Sequence, residues 1–212
     1  GSVNTSDLGL EARGLRVERG DTVVLDGLSF TAVPGSITHL KGENGSGKTT
    51  LLRTLAGLIQ ADAGEVIWQG TPVRDQSVIA SKLNFVGHQP GLNAELTARE
   101  NLAFIAALSA ARQSVDVSDA LSRLNAKGIG NRQVRHLSAG QRQRIALARL
   151  VLFEAQLWML DEPFTALDAA TRHIVEELLE EHLQRGGIAL IATHQAFEAR
   201  GEVKRVTLGG RQ

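Results

Sequence analysis

Gly42-Glu43-Asn44-Gly45-Ser46-Gly47-Lys48-Thr49 fits the pattern G-x-x-x-x-G-K-[ST]. Glycines at this spacing let the backbone bend so that several N–H groups point inward at phosphate oxygens. Lys48 adds a positive charge for the β and γ phosphates, the Thr49 hydroxyl can ligate magnesium, and Thr50 counts among the nucleotide-contacting residues. Ile37 to Leu40 before the loop reads as a strand, and Lys48 to Ala56 after it as a helix stopped by Gly57. The helix start then presents its positive dipole end to the anion. On average residue usage the pattern arises by chance on the order of once per hundred chains of this length, and the strand-loop-helix context makes a chance glycine-rich turn a poor account of it.

Magnesium-bound nucleotide needs a carboxylate on a facing strand. The apolar run Leu157-Trp158-Met159-Leu160 reads as a strand buried on both faces, and it ends in Asp161-Glu162. In a parallel sheet that carboxyl end opens on the ligand crevice. Asp161 is placed to hold magnesium, directly or through water, and Glu162 to polarise an attacking water. A second buried strand, Ile188 to Ala192, is followed by His194, within reach of a γ-phosphate. Leu83 to Val86 is followed by Gln89, whose amide oxygen is a third candidate at the metal.

The remaining periodicities fill in the frame. Leu10 to Val17 and Thr22 to Val33 read as strands around a turn at Gly20-Asp21, Pro34-Gly35 is a turn, and strand and turn alternate from Gly64 to Val73. Thr97 and Glu100 have capping-box spacing and predict a helix to about Ala111. A second helix is expected over Val117 to Ala126. Ser138 and Gln141 repeat the capping-box spacing ahead of a helix to about Phe153. Thr171 to Leu183 is amphipathic, with Ile174, Val175, Leu178 and His182 on one face. Strand, helix and strand with short connections imply a mostly parallel sheet with right-handed crossovers, interrupted by a helical block.

Composition narrows the function class. The 212 residues suit one domain, and 42% hydrophobic residues suffice for a core. Lys plus Arg and Asp plus Glu both number 23, a zero net charge that argues against a dedicated nucleic-acid binder. With no cysteine, disulfides, thiolate catalysis and cysteine-ligated metals are excluded. The longest apolar run, Leu102 to Leu108, is far short of the roughly 18 residues that span a bilayer, so work at a membrane requires partners that supply the spans. Gly1 and Ser2 read as a tag remnant.

Leu137-Ser138-Ala139-Gly140-Gln141 carries the decisive resemblance. By spacing alone it is a capped helix, with Gly140 open to close backbone approach. It also resembles the signature motif of ABC ATPases and lies the family's usual distance ahead of Asp161. Gly42 to Thr49 then resembles Walker A, Leu157 to Glu162 Walker B, Gln89 the Q-loop, Ala166-Leu167-Asp168 the D-loop and His194 the switch histidine. The resemblance covers nearly the whole chain. It implies an α/β P-loop NTPase with a RecA-like parallel-sheet core, a small N-terminal antiparallel β subdomain and an inserted helical subdomain over about 92–150, all within one domain spanning 3–212.

The same resemblance implies ATP and Mg2+ as cofactors and an ATP-dependent homodimer packed head to tail. Ser138, Gly140 and Gln141 would then serve the partner's nucleotide, while Lys48, Glu162 and His194 act on the chain's own. Membrane permease subunits would dock after Gln89 and hold the chain at the cytoplasmic face of a bacterial inner membrane. One feature departs from the family: where an aromatic usually stacks on adenine this chain has Arg19, whose guanidinium can stack on a purine face.

A narrower resemblance rests on Val86-Gly87-His88-Gln89-Pro90-Gly91-Leu92, Glu95-Leu96-Thr97-Ala98-Arg99-Glu100-Asn101-Leu102, Gln156-Leu157-Trp158 and Thr193-His194-Gln195. These are similar to the ATP-binding subunit of the cytochrome c maturation exporter, often described as a haem exporter. The group's function, haem export or release of a haem-loaded chaperone, is the expectation. A lipoprotein-release or cell-division type subunit and a soluble ABC ATPase are the alternatives. His88 is expected to pack beside the Q-loop, since a lone histidine without a formed pocket is a poor haem ligand.

Overall fold

Leu157–Asp161 and Ile188–Ala192 are buried at every position, as strands with neighbours on both edges and layers on both faces must be. The computed structural model describes residues 8–109, 115–199 and 201–209. In chain order the strands are β1 (Leu10–Arg19), β2 (Thr22–Ala32), β3 (Ser36–Lys41), β4 (Ala63–Trp68), β5 (Thr71–Pro72), β6 (Leu83–Val86), β7 (Leu157–Asp161), β8 (Ile188–Ala192) and β9 (Glu202–Thr207). The helices are α1 (Lys48–Leu55), α2 (Ser77–Ala80), α3 (Ala98–Leu108), α4 (Val117–Arg123), α5 (Ala139–Leu152) and α6 (Ala169–Gln184).

Two sheets result. The order β6-β7-β8-β3-β9 is parallel throughout, and β2-β1-β4-β5 is antiparallel. Side chains of the parallel strands alternate between two cores, as the period of two requires. Leu157, Met159, Leu190 and Leu40 face the antiparallel sheet and α1. Trp158, Leu160, Ile191 and Ile37 face α5, α6 and the helical block. That block, α3 to α5, lies between β6 and β7 in the chain. The end of α5 returns to the sheet, where Arg149 Nε donates to Asn84 Oδ1 at 2.9 Å and Asn84 Nδ2 to the Arg149 carbonyl at 3.1 Å.

Both expected capping boxes form, at Thr97 with Glu100 and at Ser138 with Gln141. Several boundaries differ: β1 runs on to Arg19 rather than Val17, α6 starts at Ala169 rather than Thr171, and α4 ends early. α4 stops at Arg123 rather than Ala126, because Asn125 turns left-handed at φ 52°. α3 is described to Leu108, and its expected end at Ala111 lies outside the described residues, as do Gly1 and Ser2. β9 carries little sequence signal, since its residues are exposed or half-buried. Its place is set by pairing with β3.

Candidate nucleotide site

Strand order decides which loops meet. β8 lies between β3 and β7, so the phosphate loop after β3, Thr193-His194 after β8 and Asp161-Glu162 at the end of β7 converge at one edge of the sheet. Gly47 caps α1 at φ 101°, and a Cβ there would lie 3.0 Å from Val24 Cγ1. Only glycine meets both demands at low cost. The Lys48 ammonium donates to the Gly42 carbonyl, curling the loop on itself. The Ser46 hydroxyl is buried without a hydrogen-bond partner.

Asp161 is 1% exposed and accepts a hydrogen bond from Thr49 Oγ1 at 2.8 Å. Burial pushes its carboxyl above the ordinary range, against the pull of the Thr49 bond and the nearby His88. A buried carboxylate paired with a threonine hydroxyl is a hard-oxygen set of the kind magnesium takes. The neighbouring Glu162 has a left-handed backbone, φ 50°, and its N–H donates to the Ala192 carbonyl at 2.7 Å. Its carboxylate is 5% exposed and meets Lys48 Nζ at 3.5 Å, His194 Nδ1 at 3.1 Å and Thr193 Oγ1 at 3.0 Å. Burial pushes this carboxyl up, but the bonds from His194 and Thr193 and the charges of His194 and Lys48 together outweigh it, and it lies below the ordinary range.

A cleft of about 500 Å³ opens over these groups. Asn44, Gly45, Gly47, Lys48, Thr49 and Thr50 line it from the loop, Asp161 and Glu162 from β7, with Val24 and His88 at its sides. Gln89 and Arg19 are exposed and lie outside this lining, as does the exposed Glu43. His88, adjacent to Gln89, lines the cleft. Sequence alone assigns no role at the cleft to two participants, Thr193, which bonds Glu162, and Val24 in the wall, and places His88 only beside the Q-loop. Strand order brings in Thr193, whereas Val24 reaches the cleft from β2 of the antiparallel sheet.

Ser138, Gly140 and Gln141 stand apart from this cleft at the start of α5. Ser138 Oγ accepts from the Gln141 N–H at 3.1 Å, and Gln141 Oε1 accepts from the Ser138 N–H at 2.9 Å. A Cβ on Gly140 would sit 2.7 Å from the Ala166 carbonyl, so the helix start lies against the segment after Glu162. Gln143 Nε2 donates to the Pro163 carbonyl at 3.0 Å and fixes the same contact.

Known proteins resemble this chain in sequence and in fold. The sequence profile described as ABC transporter matches residues 25–165. The cytochrome c biogenesis ATP-binding export protein CcmA of Methylococcus capsulatus is 44% identical over 205 residues, covering 96% of this chain and 99% of the relative. The protein of that name from Escherichia coli K12 is 44% identical over 203 residues, with 94% and 96% covered. Among solved structures, a dimeric bacterial ABC transporter cassette superposes with a TM-score of 0.80 at 25% identity, covering 94% and 95%. An ABC transporter ATP-binding protein described as putative, from Pyrococcus furiosus, gives 0.77 at 27% identity, covering 94% and 96%. No helix among the described residues is long and apolar enough to cross a membrane. The chain therefore belongs to the ABC transporter family, as an ATP-binding protein of the cytochrome c biogenesis export group.

Proposed function

We propose that this ABC-type ATPase powers a cytochrome c biogenesis machine, coupling ATP hydrolysis to haem export or to release of a haem-loaded chaperone. The observation that carries this reading is the 44% identity to cytochrome c biogenesis export proteins along nearly the full length of both chains. In this reading the chain works as an ATP-dependent homodimer, held through membrane permease subunits at the cytoplasmic face of a bacterial inner membrane. Ser138, Gly140 and Gln141 contact the nucleotide of the partner subunit, which agrees with their position away from the chain's own cleft. Residues 92–150 form the helical subdomain, inserted in one domain that spans 3–212.

The geometry supports a role for each site residue. The loop amides, from Gly42, Glu43, Asn44, Gly45, Ser46 and Gly47 to Thr50, cradle the phosphates, and Lys48 turns from the Gly42 carbonyl to the γ-phosphoryl oxygens. Thr49 and Asp161 would hold magnesium, with Gln89 as a further ligand. Bound there, magnesium neutralises charge on the β and γ phosphates. Glu162 stays ionised at neutral pH and accepts a hydrogen bond from the attacking water. His194 and Thr193 fix the direction of that carboxylate, and His194 is exposed enough to reach the γ-phosphate. Arg19 stacks on adenine from the rim of the cleft beside β2.

The test is genetic and chemical. The gene is deleted in its host and restored as wild type or as Glu162→Gln, and covalent haem in c-type cytochromes is read on a denaturing gel. Loss on deletion with rescue by wild type alone is the expected result. Normal c-type cytochromes in the deletion strain would sink the cytochrome reading and leave an ABC ATPase of another machine.

A further inference from the structure

The segment that follows β8 carries both Thr193 and His194, so its placement sets the Glu162 carboxylate. Residues His194 to Ala199 line a cleft of about 860 Å³ whose wall also includes His39 of β3, so few contacts hold the segment on that side. One of these comes from β3, the strand that delivers the phosphate loop. His39 is 5% exposed, and its Nε2 lies 3.0 Å from the Thr193 carbonyl. A carbonyl only accepts, so Nε2 carries the proton. Thr193 is itself 0% exposed. Its carbonyl lies one residue past the last ladder pair of β8 with β3, Ala192 with Leu40, and without His39 it would be a buried acceptor at the frayed end of the ladder.

The imidazole has a second grip. It meets the Phe197 ring edge-on at 4.8 Å, and Phe197 in turn lies 5.6 Å from Phe164, two residues beyond Glu162. Burial lowers the pKa of His39, and the charges of Lys41, Arg205 and Lys48 add to that, so the ring is neutral and single-donor at neutral pH. Arg172 of α6 holds the far part of the same segment through Gln195 Oε1 at 3.0 Å and the Ala196 carbonyl. The Thr193 N–H donates to the Leu40 carbonyl of β3 at 3.3 Å, and His39 holds the carbonyl of the same residue, so the two contacts from β3 fix both sides of it.

We infer that His39 is a positioning residue for ATP hydrolysis: it ties Thr193-His194 to the phosphate-loop strand and so keeps Glu162 aimed at the attacking water. The inference rests on the ATPase reading above. A displacement of about an ångström at reacting groups costs up to roughly a hundredfold in rate without touching substrate binding. Gln in place of His39 keeps an N–H donor of similar reach, while Leu fills the volume and donates nothing.

The experiment compares ATP turnover by full-length wild type, His39→Leu and His39→Gln, with the nucleotide-free thermal midpoint measured for each. The expected result is a kcat about tenfold lower in His39→Leu, a KM for ATP within about twofold of wild type, and recovery of most of the kcat in His39→Gln. If His39→Leu does not fold, His39→Met fills the same space with a more adaptable chain and is read in the same way. Wild-type kcat in a folded variant lacking the donor overturns the inference, and so does a loss that Gln fails to restore. Absence of turnover in folded wild type would overturn the ATPase reading and this inference with it, whereas active wild type with an equally active His39→Leu removes the inference alone.

Discussion

His194 Nδ1 lies 3.1 Å from Glu162 Oε1, while Thr193 Oγ1 donates to the other oxygen, Oε2, at 3.0 Å. Two consecutive residues after β8 thus hold both oxygens of one carboxylate at the end of the neighbouring strand. Lys48, 3.5 Å from Oε1, completes the set. An ionised carboxylate fixed on both oxygens loses orientational freedom before the reaction begins, the arrangement that electrostatic preorganisation requires.

Thr193→Val removes one of these donors while keeping the shape of the side chain. Lost direction at Glu162 should lower kcat about five- to tenfold with little change in ATP affinity. Because the Thr193 bond helps to depress the Glu162 carboxyl, its removal raises that pKa. The acid limb of the kcat profile should therefore move to higher pH. Steady-state turnover from about pH 3.5 to 8, a range that reaches below the ordinary carboxylate value, checks both, and an unmoved limb with unchanged kcat would show that His194 and Lys48 suffice.

Arg19 ends β1, paired with Thr22 two residues from Val24 of the cleft wall. An exposed guanidinium stacked on a ring contributes about 0.5–1 kcal/mol. Arg19→Ala should then weaken ATP binding about two- to fivefold, with the nucleotide-free thermal midpoint unchanged. Titration with a fluorescent ATP analogue measures it, and identical affinities would remove Arg19 from the site.

Gly140→Ala improves helix propensity by about 1 kcal/mol, yet the new Cβ would sit 2.7 Å from the Ala166 carbonyl. Overpacking of this kind costs about 1–3 kcal/mol, and the clash should prevail. We expect a lower thermal midpoint and about tenfold less turnover, because the start of α5 and the segment after Glu162 are pushed apart. A more stable variant with normal turnover would show that the contact yields without consequence.

His182 stacks on Trp158 with ring centroids 3.9 Å apart, and its Nε2 lies 2.9 Å from the Ile188 carbonyl. Burial lowers its pKa to about 4 from 6.5. The unfolded chain therefore binds a proton between those values that the folded chain refuses. Stability from this group is full above about pH 6.5 and is lost as pH falls toward 4, by up to about 3 kcal/mol. Thermal midpoints of wild type and His182→Phe across that window are the check. Removal of the titrating ring should flatten the acid-side decline, and parallel curves would contradict the assignment.

Much of this was readable in the chain itself. The Gly42–Thr49 pattern, the apolar runs ending at Asp161 and Ala192, and the capping boxes at Thr97 and Ser138 rest on local chemistry, on backbone conformation, burial period and helix-end donors. Such features are written within a few residues of one another, so the sequence by itself determined most of the elements, the phosphate loop and the two acids, though not α2 or β9. It did not show that His88, next to Gln89, lines the cleft, because which residue of a short loop faces a cleft depends on packing rather than on spacing. The order β6-β7-β8-β3-β9 was decided only by tertiary structure. Strand order follows from which apolar faces bury best together, a sum over contacts distant in sequence. That order sets β8 between the phosphate loop and Asp161, and through it Thr193, His194 and His39 meet around Glu162.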